Sequence, residues 1–275
     1  MNQQFDGLID YFAGDVLTSD QAQYVRSERD RGRQRELLAA MLTMRPPRPI
    51  PAQVLHELDL LLSRERDERG VIEAMNLPTL AVEEVGATGL PIDRIALWRG
   101  DLTRLRAGAI VNAANAQMLG CFRPEHACID NVIHAAAGPE LRAECARHMS
   151  EQGHAEPTGT ATITGGYHLP AKHVIHTVGP IVHGELRAAH EEALTNSYRS
   201  ILAAAEAAGL DSVGLCSVST GVFGFPKAPA ATICLTVLAA WFAENPSSRL
   251  RVVISLFTAA DEAVYRAALQ KLRAA

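Results

Sequence analysis

Beyond residue 92 the chain alternates between two hydrophobic rhythms. Short apolar runs of strand length, RIALWRGD, AGAIVNAAN, TATITGG, KHVIHTVG, DSVGLCSVST and LRVVISLFT, form the first. In the second, apolar positions recur every three or four residues over longer stretches. DNVIHAAAGPELRAECARHMSEQG, ELRAAHEEALTNSYRSILAAAEAAG, PAATICLTVLAAWFAEN and ADEAVYRAALQKLRA follow it and read as helices. A strand that is apolar along nearly its whole length has no side to show to water. The pattern therefore predicts an α/β fold whose sheet is covered by helices on both faces.

Residues 1 to about 75 keep the helical rhythm alone. DYFAGDVLTSDQAQYVRSERDRGRQRELLAAMLTM carries a helix start signal at Ser19 or Asp20 and apolar positions at helical spacing near its end. RPPRPIP then breaks the helix, because proline lacks an amide donor and restricts its predecessor. AQVLHELDLLLSRERDERG resumes it, with Val54, Leu55, Leu58, Leu61 and Leu62 on one face. The mixed-sign run RSERDRGRQRE reads as a solvated helix face. The rhythm changes at GATGLPI, residues 86–92, which divides a helical extension (1–85) from a second domain (93–275).

Composition narrows the class. The chain has 275 residues, 48% of them apolar and 21% charged, as expected of a soluble globular protein with one large domain or two smaller ones. A net charge of −5 and a pI near 6.1 give no electrostatic case for nucleic acid or an anionic membrane as main partner. No apolar run reaches the roughly 18 residues a bilayer span needs. MNQQFDGLIDYFAGD lacks the basic region and apolar block of a signal peptide, so a cytoplasmic location is expected. Five cysteines, odd in number and unevenly placed, then read as thiols or metal ligands rather than a disulfide framework.

Candidate chemistry collects in the loops after the strands, where α/β sheets bind ligands. In RGDLT (99–103), Asp101 either accepts from a ligand amino group or caps a short helix. In VNAAN (111–115), Asn112 and Asn115 either close an Asx turn or offer uncharged donors and acceptors to a sugar. In STGVFGFP (219–226), the glycines either make a plain turn or aim backbone amides at a phosphate ahead of a helix N-terminus. Cys121, His126 and Cys128 have the spacing C-x4-H-x-C, which is not that of a four-ligand zinc finger. Three ligands with an open fourth position is the arrangement of a catalytic zinc, against the alternative of cysteines packed as small apolar groups. Asp130, two residues on, suits a helix cap, a partner for metal-bound water or a general base. Cys145, Cys216 and Cys234 lie in helix or strand patterns and read as core, and His176, alone in a strand, reads as a satisfied core residue.

Taken together and in this order, GDLT, IVNAAN, DNVIHAAAGP, HTVGP and STGVFGFP resemble the macrodomains, the ADP-ribose-binding fold, over about residues 93–275. VIHAAAGPEL is similar to the MacroD-type hydrolases, but CFRPEHAC stands where those carry a glycine run. That replacement, with the helical extension, resembles the zinc-dependent macrodomains of bacteria and fungi. The resemblance implies a three-layer α/β/α sandwich with a mixed sheet. It implies one zinc ion on Cys121, His126 and Cys128 beside the terminal ribose. Asp101 would bond the adenine amino group, Leu102 would join the ligand-binding residues, Phe257 would wall the adenosine, and Ser219, Thr220, Gly221, Val222 and Phe223 would wrap the diphosphate. Asn112 and Asn115 would lie at the terminal ribose, with Asp130 and Asn115 as the catalytic pair. The implied activity is hydrolysis of the ester joining ADP-ribose to an aspartate or glutamate of a protein. The alternatives are a non-catalytic ADP-ribose reader with a structural zinc, and an O-acetyl-ADP-ribose deacetylase. Implied partners are a lipoyl-carrier protein related to glycine-cleavage H and a sirtuin-like ADP-ribosyltransferase.

Overall fold

A computed structural model of the chain describes residues 2–82 and 90–274. Residues 83–85 of the expected extension and 86–89 of its GATGLPI boundary lie outside the described residues.

The N-terminal part is four helices, α1 (Asn2–Val16), α2 (Ser19–Ser27), α3 (Arg31–Met44) and α4 (Ala52–Arg69). The long helical stretch expected before RPPRPIP is thus three helices. Thr18, rather than Ser19 or Asp20, caps α2: its hydroxyl accepts from the Gln21 amide while the Gln21 side chain accepts from the Thr18 amide. The charged run contains the second break, where Asp30 caps α3. Its arginines reach back as well as into water: Arg26 pairs with Asp10, Arg31 with Asp6 and Arg35 with Glu65. Leu8, Phe12, Val25, Leu38, Met41, Leu58 and Leu62 close a core of their own, separate from the main one.

The second part begins with β1 (Ile72–Glu73), which pairs in parallel with β3 (Leu105–Arg106), a two-residue ladder that the apolar pattern does not announce. The main sheet has six strands in the order β2-β8-β7-β4-β6-β5. They are β2 (Ile95–Arg99), β4 (Ala109–Ala113), β5 (Ala161–Gly165), β6 (His173–Thr177), β7 (Ser212–Leu215) and β8 (Arg251–Leu256). Each falls within one of the six runs predicted as strands. Only β5 runs antiparallel, so the sheet is mixed. The four inner strands β8, β7, β4 and β6 are almost wholly buried, which explains their unbroken apolar character, whereas the edge strand β5 is mostly half-exposed.

Helices α5 (Ile129–Ala137) and α6 (Pro139–Gln152) pack against β4 and β5. Helices α7 (Ala188–Ala207), α8 (Lys227–Glu244) and α9 (Ala259–Ala274) lie side by side in a second layer. The stretch 130–153, expected as one helix, is broken at Gly138, whose φ of +91° no side-chain-bearing residue adopts without strain. Pro139 then starts α6, where its missing amide is harmless. A Cβ at Gly138 would also meet Leu62 at 3.0 Å, so this turn is where α4 leans on the second domain.

Arg142 on α6 makes the tightest link between the two parts. It is buried and donates to the carbonyls of Leu42, Thr43 and Arg45 at the C-terminal end of α3. Those carbonyls have no partner within the helix and carry its negative end, so a buried guanidinium satisfies both needs.

Candidate active site

Because β2, β8, β7, β4 and β6 are parallel, their carboxyl ends open onto one edge of the sheet. That edge receives Asp101 after β2, Phe257 after β8, the 217–224 loop after β7 and Asn112 to Asn115 at the end of β4. The expected residues therefore share one rim although 156 positions separate the first from the last.

At the β4 end the side chains converge on Asp130. Asn112 is fully buried and donates from Nδ2 to Asp130 Oδ1 at 2.8 Å. Asn115 donates from Nδ2 to Asp130 Oδ2 at 3.4 Å and to the Gly120 carbonyl at 3.3 Å. Both carboxylate oxygens are thus held by amides. Burial pushes the Asp130 pKa up to about 6, with the Asn112 hydrogen bond and the Arg142 charge pulling the other way. Asp130 does not cap α5. That place belongs to Cys128, whose sulfur accepts from the Asn131 amide at 3.4 Å.

Two histidines lie beneath this network, and neither stood among the expected site residues. His176, expected as a satisfied core residue, is that and more. Parallel pairing sets it opposite Asn112, and its Nδ1 lies 3.1 Å from Asn112 Nδ2. Thr164 Oγ1 meets its Nε2 at 2.9 Å. Since Asn112 can only donate there, Nδ1 is the acceptor and Nε2 carries the proton. Burial lowers the His176 pKa to about 3, so the ring stays neutral. His134 sits with Nε2 3.6 Å from Asp130 Oδ1, but burial, then His176 and Arg142, drive its pKa well down. It faces the carboxylate as a neutral ring and not as an ion-pair partner. A Cβ at Gly120, where φ is +79°, would strike that ring at 2.8 Å, so only glycine lets the backbone lie across it.

The loop between β4 and α5 brings the Cys121, His126 and Cys128 donor atoms within 4.8 Å of one another. Cys121 Sγ and His126 Nδ1 are 3.4 Å apart. Tetrahedral zinc with bonds of about 2.3 Å to sulfur and 2.0 Å to nitrogen sets its ligands roughly 3.5 Å apart, a spacing that the Cys121–His126 pair matches. Asn131 secures the loop by donating to the carbonyls of Arg123 and His126. Arg142 secures it again, donating to the Leu119 carbonyl and stacking on Phe122 at 4.4 Å. Burial above all pushes the Cys128 thiol up, and the neighbouring Cys121 and Asp130 add to this. A cation among the three reverses that penalty.

The remaining expected residues divide. Phe257 is 83% exposed and Val222 73%, so both are available to a ligand. Asp101 does cap a short turn, with Oδ1 accepting from the Thr103 amide and hydroxyl. Leu102 buries its side chain in the core, which leaves only its backbone for a ligand. In the β7 loop the Thr220 amide bonds Ser217 and the Phe223 carbonyl accepts from Val182. The amides of Gly221, Val222 and Phe223 form no hydrogen bond among the described residues. Ser219 holds φ at +64° with its hydroxyl buried and unpartnered, local strain of the kind that collects at binding loops. Cys145, Cys216 and Cys234 are core as expected, and burial drives each thiol to about 12. No helix among the described residues is long and apolar enough to cross a membrane.

Residues 111–234 match the Macro domain family. A protein-ADP-ribose hydrolase of Treponema medium is 42% identical over 236 residues, 86% of this chain and 87% of that protein. The Trypanosoma brucei macrodomain in complex with ADP-ribose is similar with a TM-score of 0.62 and 32% identity, covering 88% of this chain and 96% of that one. The Oceanobacillus iheyensis macrodomain with ADP has a TM-score of 0.60 and 36% identity, covering 66% of this chain and 92% of that one. On its fold, on the rim where its candidate residues meet and on this similarity, the chain belongs to the macrodomain protein-ADP-ribose hydrolases.

Proposed function

We propose that this enzyme removes ADP-ribose from proteins by hydrolysing the ester between the terminal ribose and an aspartate or glutamate. The observation that carries the reading is the convergence of Asn112, Asn115 and Asp130 beside the Cys121, His126 and Cys128 loop. Hydrolysis adds water across the ribose–carboxylate bond and needs a group to orient that water and take its proton. Asp130 suits the task, because burial raises its basicity and two amides fix its oxygens. Asn115, half-buried on the rim, would bond the ribose as well as Asp130. The open amides of Gly221 to Phe223 suit the diphosphate and the exposed Phe257 ring suits the adenosine. These remote contacts hold the scissile bond against Asp130. Cys121, His126 and Cys128 would hold one zinc ion, which supplies a Lewis acid beside the terminal ribose.

The substrate must come from an ADP-ribosyltransferase. A lipoyl-carrier acceptor modified by a sirtuin-like transferase stays part of the proposal. O-acetyl-ADP-ribose carries an ester on the same ribose, so the same site would hydrolyse it.

The test is ADP-ribose release from a protein modified on acidic residues, by native enzyme and by enzyme treated with a chelator. Release that stops on chelation and returns with zinc is the expected result. Equal release from both samples would remove zinc from the reading. No release from either, with ADP-ribose still bound, would make the chain a reader.

A further inference from the structure

We propose that Tyr198 is a positioning residue for ligand binding: its buried hydroxyl sets the direction of the 217–224 loop and so that loop's hold on a diphosphate. The inference rests on the reading of this loop as the diphosphate site and adds what keeps it in place.

The loop follows β7 and leads into α8. Several of its hydrogen bonds are internal. The Thr220 amide and hydroxyl both donate to the Ser217 carbonyl, and the Phe225 amide donates to the Ser219 carbonyl. Bonds of this kind fix the shape of a loop and leave its direction open. Direction comes from groups that reach it from outside. At the far end the Val182 amide donates to the Phe223 carbonyl. At the near end the Val218 amide donates to the Tyr198 hydroxyl at 3.3 Å, and it has no other partner among the described residues.

Tyr198 lies on α7 among Leu194, Ile201, Leu202 and Ala205, all buried. Phenylalanine would fill the same core space. The tyrosine is 1% exposed, so its hydroxyl depends on protein partners. It accepts from Val218 and is linked to Tyr265 of α9, whose own hydroxyl faces Ser217 and Cys234. Burial raises both phenols well above their ordinary range, so both keep their protons and stay neutral. Two helices of the outer layer thus reach adjacent residues, Ser217 and Val218, at the root of the loop. A buried polar chain that is fully paired favours one geometry.

The next residue shows why the loop needs this hold. Ser219 has φ at +64°, a conformation that persists only where the surroundings impose it. A Cβ on Gly179 would overlap the Ser219 hydroxyl, so the segment after β6 packs directly against it. Tyr198 holds the amide just before it. The open amides of Gly221, Val222 and Phe223 follow within four residues. Without the Tyr198 hydroxyl the Val218 amide is left buried and unpaired. It regains a partner only if the loop turns, which moves the three amides away from the phosphates.

The experiment uses Tyr198→Phe, which removes one oxygen and keeps the ring. Affinities for ADP-ribose, ADP and adenosine are measured by calorimetry, adenosine being the probe without phosphate. ADP-ribose and ADP should bind about tenfold more weakly, the scale of one buried donor left without a partner. Adenosine should stay within about twofold. In turnover of a protein modified on acidic residues, KM should rise about as much while kcat stays within about twofold, the pattern of lost uniform binding. Ile201→Val on the same helix trims the core and touches no polar group, so all three affinities should hold. Should Tyr198→Phe fail to fold, Tyr265→Phe carries the same test through Ser217. Unchanged ADP affinity, an equal loss on adenosine, or the same losses in Ile201→Val would overturn the proposal and leave Tyr198 a core residue. Wild-type protein that binds ADP no better than adenosine would overturn the diphosphate reading of the loop, and the inference with it. Wild-type protein that binds ADP-ribose through Tyr198 but releases none from the modified protein would support the inference and overturn the hydrolase reading alone.

Discussion

Two trios of cysteine and histidine lie in this domain, and each brings three potential metal donors within 4.8 Å of one another. Cys121, His126 and Cys128 sit in one loop, eight residues long and half-exposed. His134, Cys145 and His176 come from α5, α6 and β6 and are all buried. Donor distance does not separate them. Environment does. The loop trio's sulfurs make only weak contacts, Cys128 with the Asn131 amide and Cys121 with His126 and the Arg123 carbonyl, and the trio keeps access to solvent, from which an ion can enter. In the buried trio, both His176 nitrogens already have partners and burial holds the Cys145 thiol at about 12. Ionising that thiol inside the core would be opposed by the same desolvation that raised it. The buried trio is therefore a neutral packing unit beneath Asn112 and Asp130, in which His176 makes the hydrogen bonds. A list of ligand-type residues, even with distances, does not define a metal site without solvation.

The comparison breaks most sharply at the loop. Cys128→Ala should lose bound zinc, measured by elemental analysis, and at least about 100-fold of hydrolase activity, since even outer partners of a metal are worth 10–100-fold. The counterpart Cys145→Ala should keep the full zinc content. If the two variants lost zinc equally, the distinction between the trios would fail.

Next in size is Arg142, which serves the loop and the extension at once. Arg142→Met removes donors from three carbonyls of α3 and its C-cap and from Leu119. A loss of about 3 kcal/mol or more in a urea melt is expected, because hydrogen bonds from a charged donor are worth roughly 1.5–3 kcal/mol each. Proteolysis within residues 119–128 should rise with it, since the Phe122 stack is lost too.

The buried trio has its own signature in acid. His176 titrates near 3 in the folded chain and near 6.5 unfolded. Between those values the unfolded chain binds more protons, so stability falls as pH drops below about 6.5 and levels off below about 3. Going from pH 6.5 to 5 should remove about 2 kcal/mol on this account, at about 1.4 kcal/mol per pH unit. His176→Gln should flatten that slope in denaturation midpoints measured across pH. An unchanged slope would mean that His176 takes up its proton in the folded state.

The smallest effect expected is on stability in Cys145→Ala. It should fall by about 1 kcal/mol, the scale of a modest core truncation, by thermal melt. A larger fall would give the sulfur a structural part beyond packing.

Much of the molecule could be read along the chain. Six apolar runs became the six strands of the main sheet, and the parallel ones read most clearly because strands buried on both faces must be apolar on both. The Cys121, His126 and Cys128 set was visible because its members are neighbours in sequence as well as in space. The cap of the turn at Asp101 and the helix-breaking prolines followed from local backbone chemistry alone. Helix ends were read less well. Gly138, Thr18 and Asp30 each ended or started a helix inside a stretch whose rhythm continued past them.

The sequence by itself determined which segments fold as strands and helices, and which loops carry chemistry. Both are set by nearest neighbours along the backbone and by residue type. Only the tertiary structure decided what those residues meet. Strand order placed Asp101 beside Phe257, and register placed His176 under Asn112. Packing turned a charged Arg142 inward to join the extension to the loop of Cys121, His126 and Cys128. Burial set apart two trios of the same chemistry. Pairing, register and desolvation depend on groups far apart in the chain, and a sequence pattern carries no record of their distance.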